Sequence, residues 1–349
     1  MLNDRIENRW IEAFVAVFRL CRVEADEPVA ILSETQSRDL NVHLAELALL
    51  RLGSRPVHVK VVSPAQTAPV PVRSTGASQA LRAHPGALAA LGACSMIVDL
   101  TVEGLLHAPE LPQILKGGAR VMMVSNEHPE ALERLAPDPA LMPRVKNAVK
   151  LCRGAGTMTV TSAAGTDLTV AMAGASTAGV WGWTDRAGTI AHWPGGIVVS
   201  FPAAGSVNGT LVLDAGDCNL TFKRYLERPV ILTLKDDYVT DIAGEGTDAE
   251  LMRRYWSAWG DRNAYAVSHV GWGMNPAARY EALAFYDQRD TNGTEVRAFA
   301  GNFLFSTGAN EFAGRFTEGH FDLPVRGCTI SLDGTAVVRD GALVDEVFA

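Results

Sequence analysis

Apolar and polar positions along the first 150 residues alternate between strand and helix patterns. Ile6, Trp10, Phe14 and Phe18 recur at helical spacing, which predicts an opening amphipathic helix over residues 5–22. Four short apolar runs with helical patterns between them predict strands at 28–32, 56–62, 95–100 and 120–124, the first of them buried. The helical patterns cover 39–51, 80–91 and 111–117. This alternation is typical of a parallel sheet covered by helices, so we expect an α/β domain over residues 1–150.

The pattern changes after about Arg153, where short strand patterns are separated by glycine and proline. They predict a hairpin from 157–162 and 168–173, then strands at 197–201, 209–214 and 230–234. One clear helical pattern covers 247–260. We therefore expect a second, mainly β (α+β) domain over residues 151–349. The segment 63–78, rich in Pro, Ser, Thr and Ala, is expected to be a loop.

Composition narrows the classes of function. The chain is 48% hydrophobic with a net charge of −8, which argues against general affinity for nucleic acid or an anionic membrane. It has no apolar stretch of 18 residues and no apolar core of a signal peptide near its first residue. Its five cysteines are scattered and form no CxxC pair, which favours a reducing compartment. We expect a cytoplasmic protein. No GxGxxG or Walker loop follows a predicted strand, so a nucleotide role has little support.

A His-x-Asp pair near the C-terminal end carries the strongest chemical signal. His320 and Asp322 lie in the apolar run 319–324, which is predicted to be a strand, so both side chains point to one face. A third ligand has to come from elsewhere, and His269, in the glycine-rich segment 268–273, is the best candidate. Two histidines and a carboxylate form the facial triad of non-haem Fe(II) oxygenases. Taken alone, His269 is more often a structural loop histidine, and His-x-Asp is as often a surface pair.

Three segments together are similar to the aminopeptidase T-like metallopeptidases. These segments are 202–212, 269–276 and 319–322, and their order and spacing match that family over most of residues 150–349. The resemblance implies a C-terminal metal-binding domain, which in the peptidases holds two metals. The chain departs from the peptidase pattern in three places. Ser206 replaces the ligand Glu of the peptidase PAGEV segment, His269 replaces a second Glu, and the strand 303–308 lacks the peptidase histidine.

The remaining ligand set can hold one metal but not a bridged pair, and it resembles the 2,5-dihydroxypyridine 5,6-dioxygenases. That resemblance implies a mononuclear Fe(II) enzyme in which His269, His320 and Asp322 bind the metal. It also implies an extradiol-type opening of 2,5-dihydroxypyridine, or a related hydroxylated N-heteroaromatic, with both atoms of O2 inserted. The implied product is N-formylmaleamate, formed in nicotinic acid degradation, and the implied assembly is a homo-oligomer.

Further candidates would contact the substrate. His107 follows the strand 95–100, where ligands gather in α/β sheets, and a neutral histidine there can act as general base. Leu106 in the same loop, His192 and Ser306 are candidate substrate-binding residues. His192 follows two tryptophans closely, and such a segment can line a pocket for a flat ring. The alternatives are an exposed loop histidine for His107 and ordinary core packing for the tryptophans.

Two other functions remain open at this point. The first is an aminopeptidase-like hydrolase that kept a single zinc ion, although Ser206 leaves it without the Glu of the PAGEV segment. The second is a non-catalytic, metal-dependent binding or assembly module, with the glycine-rich β half as an oligomer interface.

Overall fold

The computed structural model describes residues 4–69 and 77–348. Elements are numbered along the chain. The helices are α1 (Asn8–Leu20), α2 (Asp39–Arg51), α3 (Pro85–Gly92), α4 (Leu111–Lys116), α5 (Pro129–Arg134), α6 (Leu141–Gly154), α7 (Gly246–Ala258), α8 (Ala282–Phe285) and α9 (Thr294–Ala298). Short 3-10 turns cover Arg262–Tyr265, Glu311–Ala313 and Asp345–Val347.

The first sheet is parallel. Its strands are β1 (Val29–Glu34), β2 (Val57–Val61), β3 (Met96–Asp99), β4 (Arg120–Val124) and β8 (Ile190–Trp193), in the order β2-β1-β3-β4-β8. Every residue of β1, β3 and β4 is buried, as expected of parallel strands covered on both faces. Phe14 of α1 packs edge-on against Trp193 of β8, with ring centroids 5.0 Å apart. The apolar stripe of α1 therefore covers one face of this sheet.

Two antiparallel sheets form most of the second half. The second sheet contains β5 (Thr157–Ser162), β6 (Asp167–Ala171), β10 (Val207–Leu213), β13 (Val230–Lys235), β14 (Tyr238–Ala243), β18 (Cys328–Leu332), β19 (Thr335–Arg339) and β20 (Ala342–Leu343). The third sheet contains β7 (Ser176–Val180), β9 (Ile197–Phe201), β15 (Val267–Gly273), β16 (Phe303–Asn310) and β17 (Arg315–Val325), in the order β17-β16-β15-β9-β7. A separate pair joins β11 (Cys218–Asn219) to β12 (Arg224–Tyr225). Residues of both large sheets share one hydrophobic core with α6 and α7.

These observations confirm the predicted fold class. The four strands and the opening helix of the first half lie within a few residues of their predicted bounds. Helices α5 and α6 were not predicted. The expected loop 63–78 lies partly outside the described residues, because 70–76 are not among them. The domain boundary near residue 150 stays a prediction: α6 covers that position, and the chain later returns to the first sheet as β8.

Within the described ranges, no helix combines the length and the apolar character needed to cross a bilayer. All five cysteines are free thiols.

Candidate metal centre and active site

Three neighbouring strands of the third sheet carry the predicted metal ligands. His269 on β15 is paired with Ser306 on β16, and Ser306 is paired in turn with Asp322 on β17. Directly opposed residues of antiparallel strands share a face of the sheet. His320 lies two residues before Asp322 on β17, so its side chain points to the same face. Between them, Phe321 points the other way, where its ring stacks on Tyr255 with centroids 4.6 Å apart. Core packing of Phe321 thus fixes which face His320 and Asp322 occupy.

The ligand atoms of these three side chains converge. All lie within 4.8 Å of one another. Oδ1 of Asp322 is 3.3 Å from Nε2 of His320 and 3.6 Å from Nε2 of His269. Among the described residues this buried oxygen has no hydrogen-bond partner, a costly state for a carboxylate inside a protein. Two imidazole nitrogens beside an unsatisfied carboxylate oxygen suit a divalent transition metal.

The structure corrects one local expectation about His269. The residue was expected in a glycine-rich loop, and it lies on β15 and is buried. Gly271, two residues further along β15, has a packing reason, because a Cβ atom there would lie 2.0 Å from the carbonyl oxygen of Val198 on β9. Glycine here lets two strands approach closely and does not mark a turn.

The second oxygen of Asp322 has a partner that the sequence analysis missed. Oδ2 accepts a hydrogen bond from Nε of Arg297 on α9, at 2.6 Å. Burial alone would raise the pKa of Asp322, but the positive charge of Arg297, followed by that of His320, holds this pKa well below its usual range. The carboxylate is therefore ionised at neutral pH. No motif in the sequence distinguishes Arg297 from other arginines on short helices.

His107 reaches the same place from the first sheet. Its loop follows β3, and its ring centroid lies 5.5 Å from that of His320. Burial, together with the nearby charges of His320 and His269, lowers the pKa of His107 to about 3 against the opposing effect of Asp322. At neutral pH the imidazole is uncharged and can accept a proton. The alternative of an exposed loop histidine is not what the structure shows.

Asp99 anchors the loop that carries His107. Its Oδ2 accepts the backbone N–H of Leu105 at 2.7 Å, and its Oδ1 accepts the N–H and hydroxyl of Thr101 at 3.0 and 2.7 Å. Glu34 accepts the N–H of Val102 at 2.6 Å in the same loop. Two buried carboxylates therefore fix the backbone just before His107.

His192 lies on β8 of the first sheet, beside Met123 of β4. Its Nδ1 is 2.7 Å from the carbonyl oxygen of Pro194. Because a carbonyl only accepts, Nδ1 carries the proton and Nε2 keeps its lone pair. Burial, together with the charge of Arg297, lowers the pKa of His192 to about 4 against the opposing effect of that hydrogen bond. His192 and Arg297 are thus close enough to interact electrostatically.

The other candidates differ in their setting. Ser306 is fully buried, and its pairing places it between His269 and Asp322. Leu106 is partly exposed in the loop beside His107. Trp183 packs in the hydrophobic core of the first sheet, in line with the alternative of ordinary packing. The sequence analysis did not single out Phe201, whose ring meets His269 edge-on at 5.5 Å and contacts Phe312 at 5.4 Å. Roles of Ser306 and Leu106 in substrate binding stay predictions.

Comparison with known proteins places this site in context. Residues 9–345 match the family model for 2,5-dihydroxypyridine 5,6-dioxygenase. A curated protein of that name from Pseudomonas putida KT2440 is 36% identical over 339 residues, covering 95% of each chain. A solved structure of the dioxygenase from the same strain superposes with a TM-score of 0.91, covering 97% of this chain and 98% of the other. AmpT from Thermus thermophilus shares 15% identity with a TM-score of 0.67 over 97% and 99% of the chains, which shows a common fold alone.

Proposed function

The chain belongs to the 2,5-dihydroxypyridine 5,6-dioxygenase family, and on that premise we propose that it opens the ring of 2,5-dihydroxypyridine or a close relative. In this reaction both atoms of O2 enter the product, N-formylmaleamate. The observation that carries the proposal is that Oδ1 of Asp322, which has no hydrogen-bond partner among the described residues, faces two imidazole nitrogens. The chain also resembles a named dioxygenase over 95% of its length.

We assign the metal-binding role to His269, His320 and Asp322. Their two nitrogens and one oxygen fit a divalent transition metal, and Fe(II) is the cation this donor set favours in oxygenases. Bound there, Fe(II) would supply the redox chemistry and a template for the substrate and O2. No comparable observation supports the peptidase-like alternative. Ser206 stands where the aminopeptidase T-like peptidases have a ligand Glu, and the Ser206 hydroxyl donates a hydrogen bond to the carbonyl of Ala203.

The chain's own residues would orient the substrate and move its proton. His107 is neutral and lies beside His320, so it can take the proton of a substrate hydroxyl. Nε2 of His192 has a free lone pair and can accept a hydrogen bond from a hydroxyl or ring N–H. Phe201 presents an aromatic ring next to His269 and can pack against a flat heteroaromatic ring. A homo-oligomeric assembly and a cytoplasmic location belong to the same proposal.

Oxygen uptake tests this function directly. Chain purified anaerobically and reconstituted with Fe(II) is given 2,5-dihydroxypyridine, and O2 consumption, loss of the pyridine absorbance and product mass are followed. We expect one O2 consumed per ring opened. His269→Ala and Asp322→Ala should each lower the rate by about a thousandfold or more, because the metal contributes several kcal/mol.

His43→Ala is the matched control, because His43 lies on α2 with its side chain 49% exposed. It should retain wild-type uptake. The proposal fails if the reconstituted wild type takes up no O2 with hydroxylated pyridines, or if the zinc-loaded chain cleaves peptides instead.

A further inference from the structure

The two oxygens of Asp322 have different surroundings. Oδ1 faces the imidazoles of His269 and His320, whereas Oδ2 accepts the Nε–H of Arg297 at 2.6 Å. Asp322 is buried and Arg297 is largely so, with 5% and 12% of their side chains exposed. A charge-assisted hydrogen bond in such a setting is stronger than one at the surface.

We propose that Arg297 is a positioning residue that restricts Asp322 to binding the metal through Oδ1 alone. A carboxylate that binds a metal through both oxygens occupies two coordination positions. A cation that approached Oδ2 would meet the guanidinium charge at close range, which is unfavourable in a buried site. Arg297 thereby leaves one more position for the substrate or O2. The inference rests on the proposed metal site and concerns how that site is kept open.

A second carboxylate, Glu127, holds Arg297 in place. Glu127 is 1% exposed and follows β4 of the first sheet. It accepts the N–H of Thr294 at 2.8 Å, the N–H of Asn292 at 2.9 Å and the hydroxyl of Thr291 at 2.9 Å. Thr294 is the first residue of α9, so these bonds fix the start of the helix that carries Arg297.

Helix α9 depends on such anchors. It has five residues, too few for a helix to be stable alone. Nη1 of Arg297 also lies 3.4 Å from both the carbonyl and the side-chain oxygen of Asn292, within the segment that Glu127 binds. The contacts therefore run from Glu127 through segment 291–294 to Arg297, and from Arg297 to Asp322. A loop of the first sheet thus sets the orientation of a ligand on the third.

Cobalt substitution tests the inference without relying on activity. Co(II) is titrated into metal-free full-length chain, and its visible d–d bands report the coordination number. Arg297→Met frees Oδ2, so we expect weaker bands, typical of a higher coordination number. Arg297→Lys keeps the charge and should stay closer to the wild-type spectrum. Glu127→Gln should shift the spectrum in the same direction as Arg297→Met, and less.

Arg134→Met is the matched control. Arg134 pairs with Glu295 on the same helix and does not bond Asp322, so its loss weakens the anchoring of α9 by another route. The control should keep the wild-type cobalt spectrum. The inference is overturned if Arg297→Met and Arg297→Lys both keep it, or if Arg134→Met changes it as much as Arg297→Met does. If the wild type binds no Co(II), or if His269→Ala binds it equally well, the proposed metal site itself fails.

Discussion

The first and third sheets contribute to the site in different ways. The third sheet supplies its candidate metal ligands from within paired strands, where the pairing of His269, Ser306 and Asp322 fixes their relative positions. The first sheet supplies His107 from a loop after β3, held by side-chain bonds to Asp99 and Glu34. The positions of the candidate metal ligands depend on strand register, whereas the position of His107 depends on two buried carboxylates.

This difference suits two different tasks. A slip of one residue in β17 would turn His320 and Asp322 into the core and Phe321 out of it, so the hydrophobic core strongly resists such a slip. Metal ligands need that precision. A residue that accepts a proton from the substrate can sit on a loop, where a change in one anchor alters its position without unfolding a sheet. The comparison predicts that changes in His107 and in the loop that carries it alter catalysis and leave metal binding intact.

The largest effect is expected from His107→Gln. Glutamine keeps a polar side chain of similar length but has no basic ring nitrogen to receive the substrate proton, so kcat should fall by about 100- to 10,000-fold. Because His107 is not one of the three ligands, the Fe(II) content and the cobalt spectrum should match the wild type. Steady-state oxygen uptake and metal analysis measure both. A His107→Gln chain that loses its metal would contradict the division between the two sheets.

A smaller effect is expected from Asp99→Asn. The amide cannot accept all three of the bonds that the Asp99 carboxylate receives from Thr101 and Leu105, and its NH2 group would face a donor. We expect a loss of about 1–3 kcal/mol in the free energy of unfolding, typical of a buried unsatisfied group. The displaced loop should lower kcat by roughly tenfold, since small misplacements of a reacting group are costly.

Denaturant unfolding and kinetics check the Asp99 prediction, with Ser95→Ala, just before the same strand, as control. Ser95 bonds Glu27 at the opposite end of β3, so its loss should leave kcat unchanged. If Asp99→Asn changes stability but not kcat, then Asp99 supports the fold without positioning His107.

Much of this architecture could be predicted from the sequence. The apolar runs of β1 to β4 and the stripe of α1 have clear periods, and the two-residue spacing of His320 and Asp322 places them on one face of a strand. The departures from the peptidase motifs pointed to the dioxygenase family, which the comparisons confirm. Helix α6 was missed although its buried positions, Leu141, Val145, Ala148 and Cys152, have helical spacing. Pro143 lies in its first turn, where proline is tolerated.

Other features depend on contacts between distant segments. The alignment of His269 with Asp322 passes through Ser306, and no local pattern encodes the register of three strands separated by loops. Arg297 lies on a five-residue helix whose position depends on Glu127, 170 residues earlier in the chain. Likewise, β8 joins the first sheet only through its pairing with β4. Such residues become visible only once the chain has folded.

The smallest expected effect concerns His192. Like His107 it comes from the first sheet, but it lies on strand β8 and not in a loop. Its pKa is lowered to about 4 by burial, against an unfolded value of about 6.5. Between these pH values the unfolded chain binds more protons than the folded chain. The contribution of neutral His192 to the free energy of unfolding is therefore fully present above pH 6.5 and is lost as the pH falls toward 4. Through His192 alone, the free energy of unfolding should fall by about 2 kcal/mol when the pH is lowered from 8 to 5.

The measurement compares denaturant unfolding of the metal-free wild type with that of His192→Gln at both pH values, since metal release would otherwise dominate. The variant should lose about 2 kcal/mol less than the wild type over this range, because it removes one buried neutral imidazole. His43→Gln, on the partly exposed surface of α2, should follow the wild type. Equal losses in the wild type and His192→Gln would mean that water reaches His192 in the folded chain. Strand β8 would then hold His192 no more rigidly than the loop after β3 holds His107. The difference from the third sheet would then include the strands of the first sheet as well as its loops.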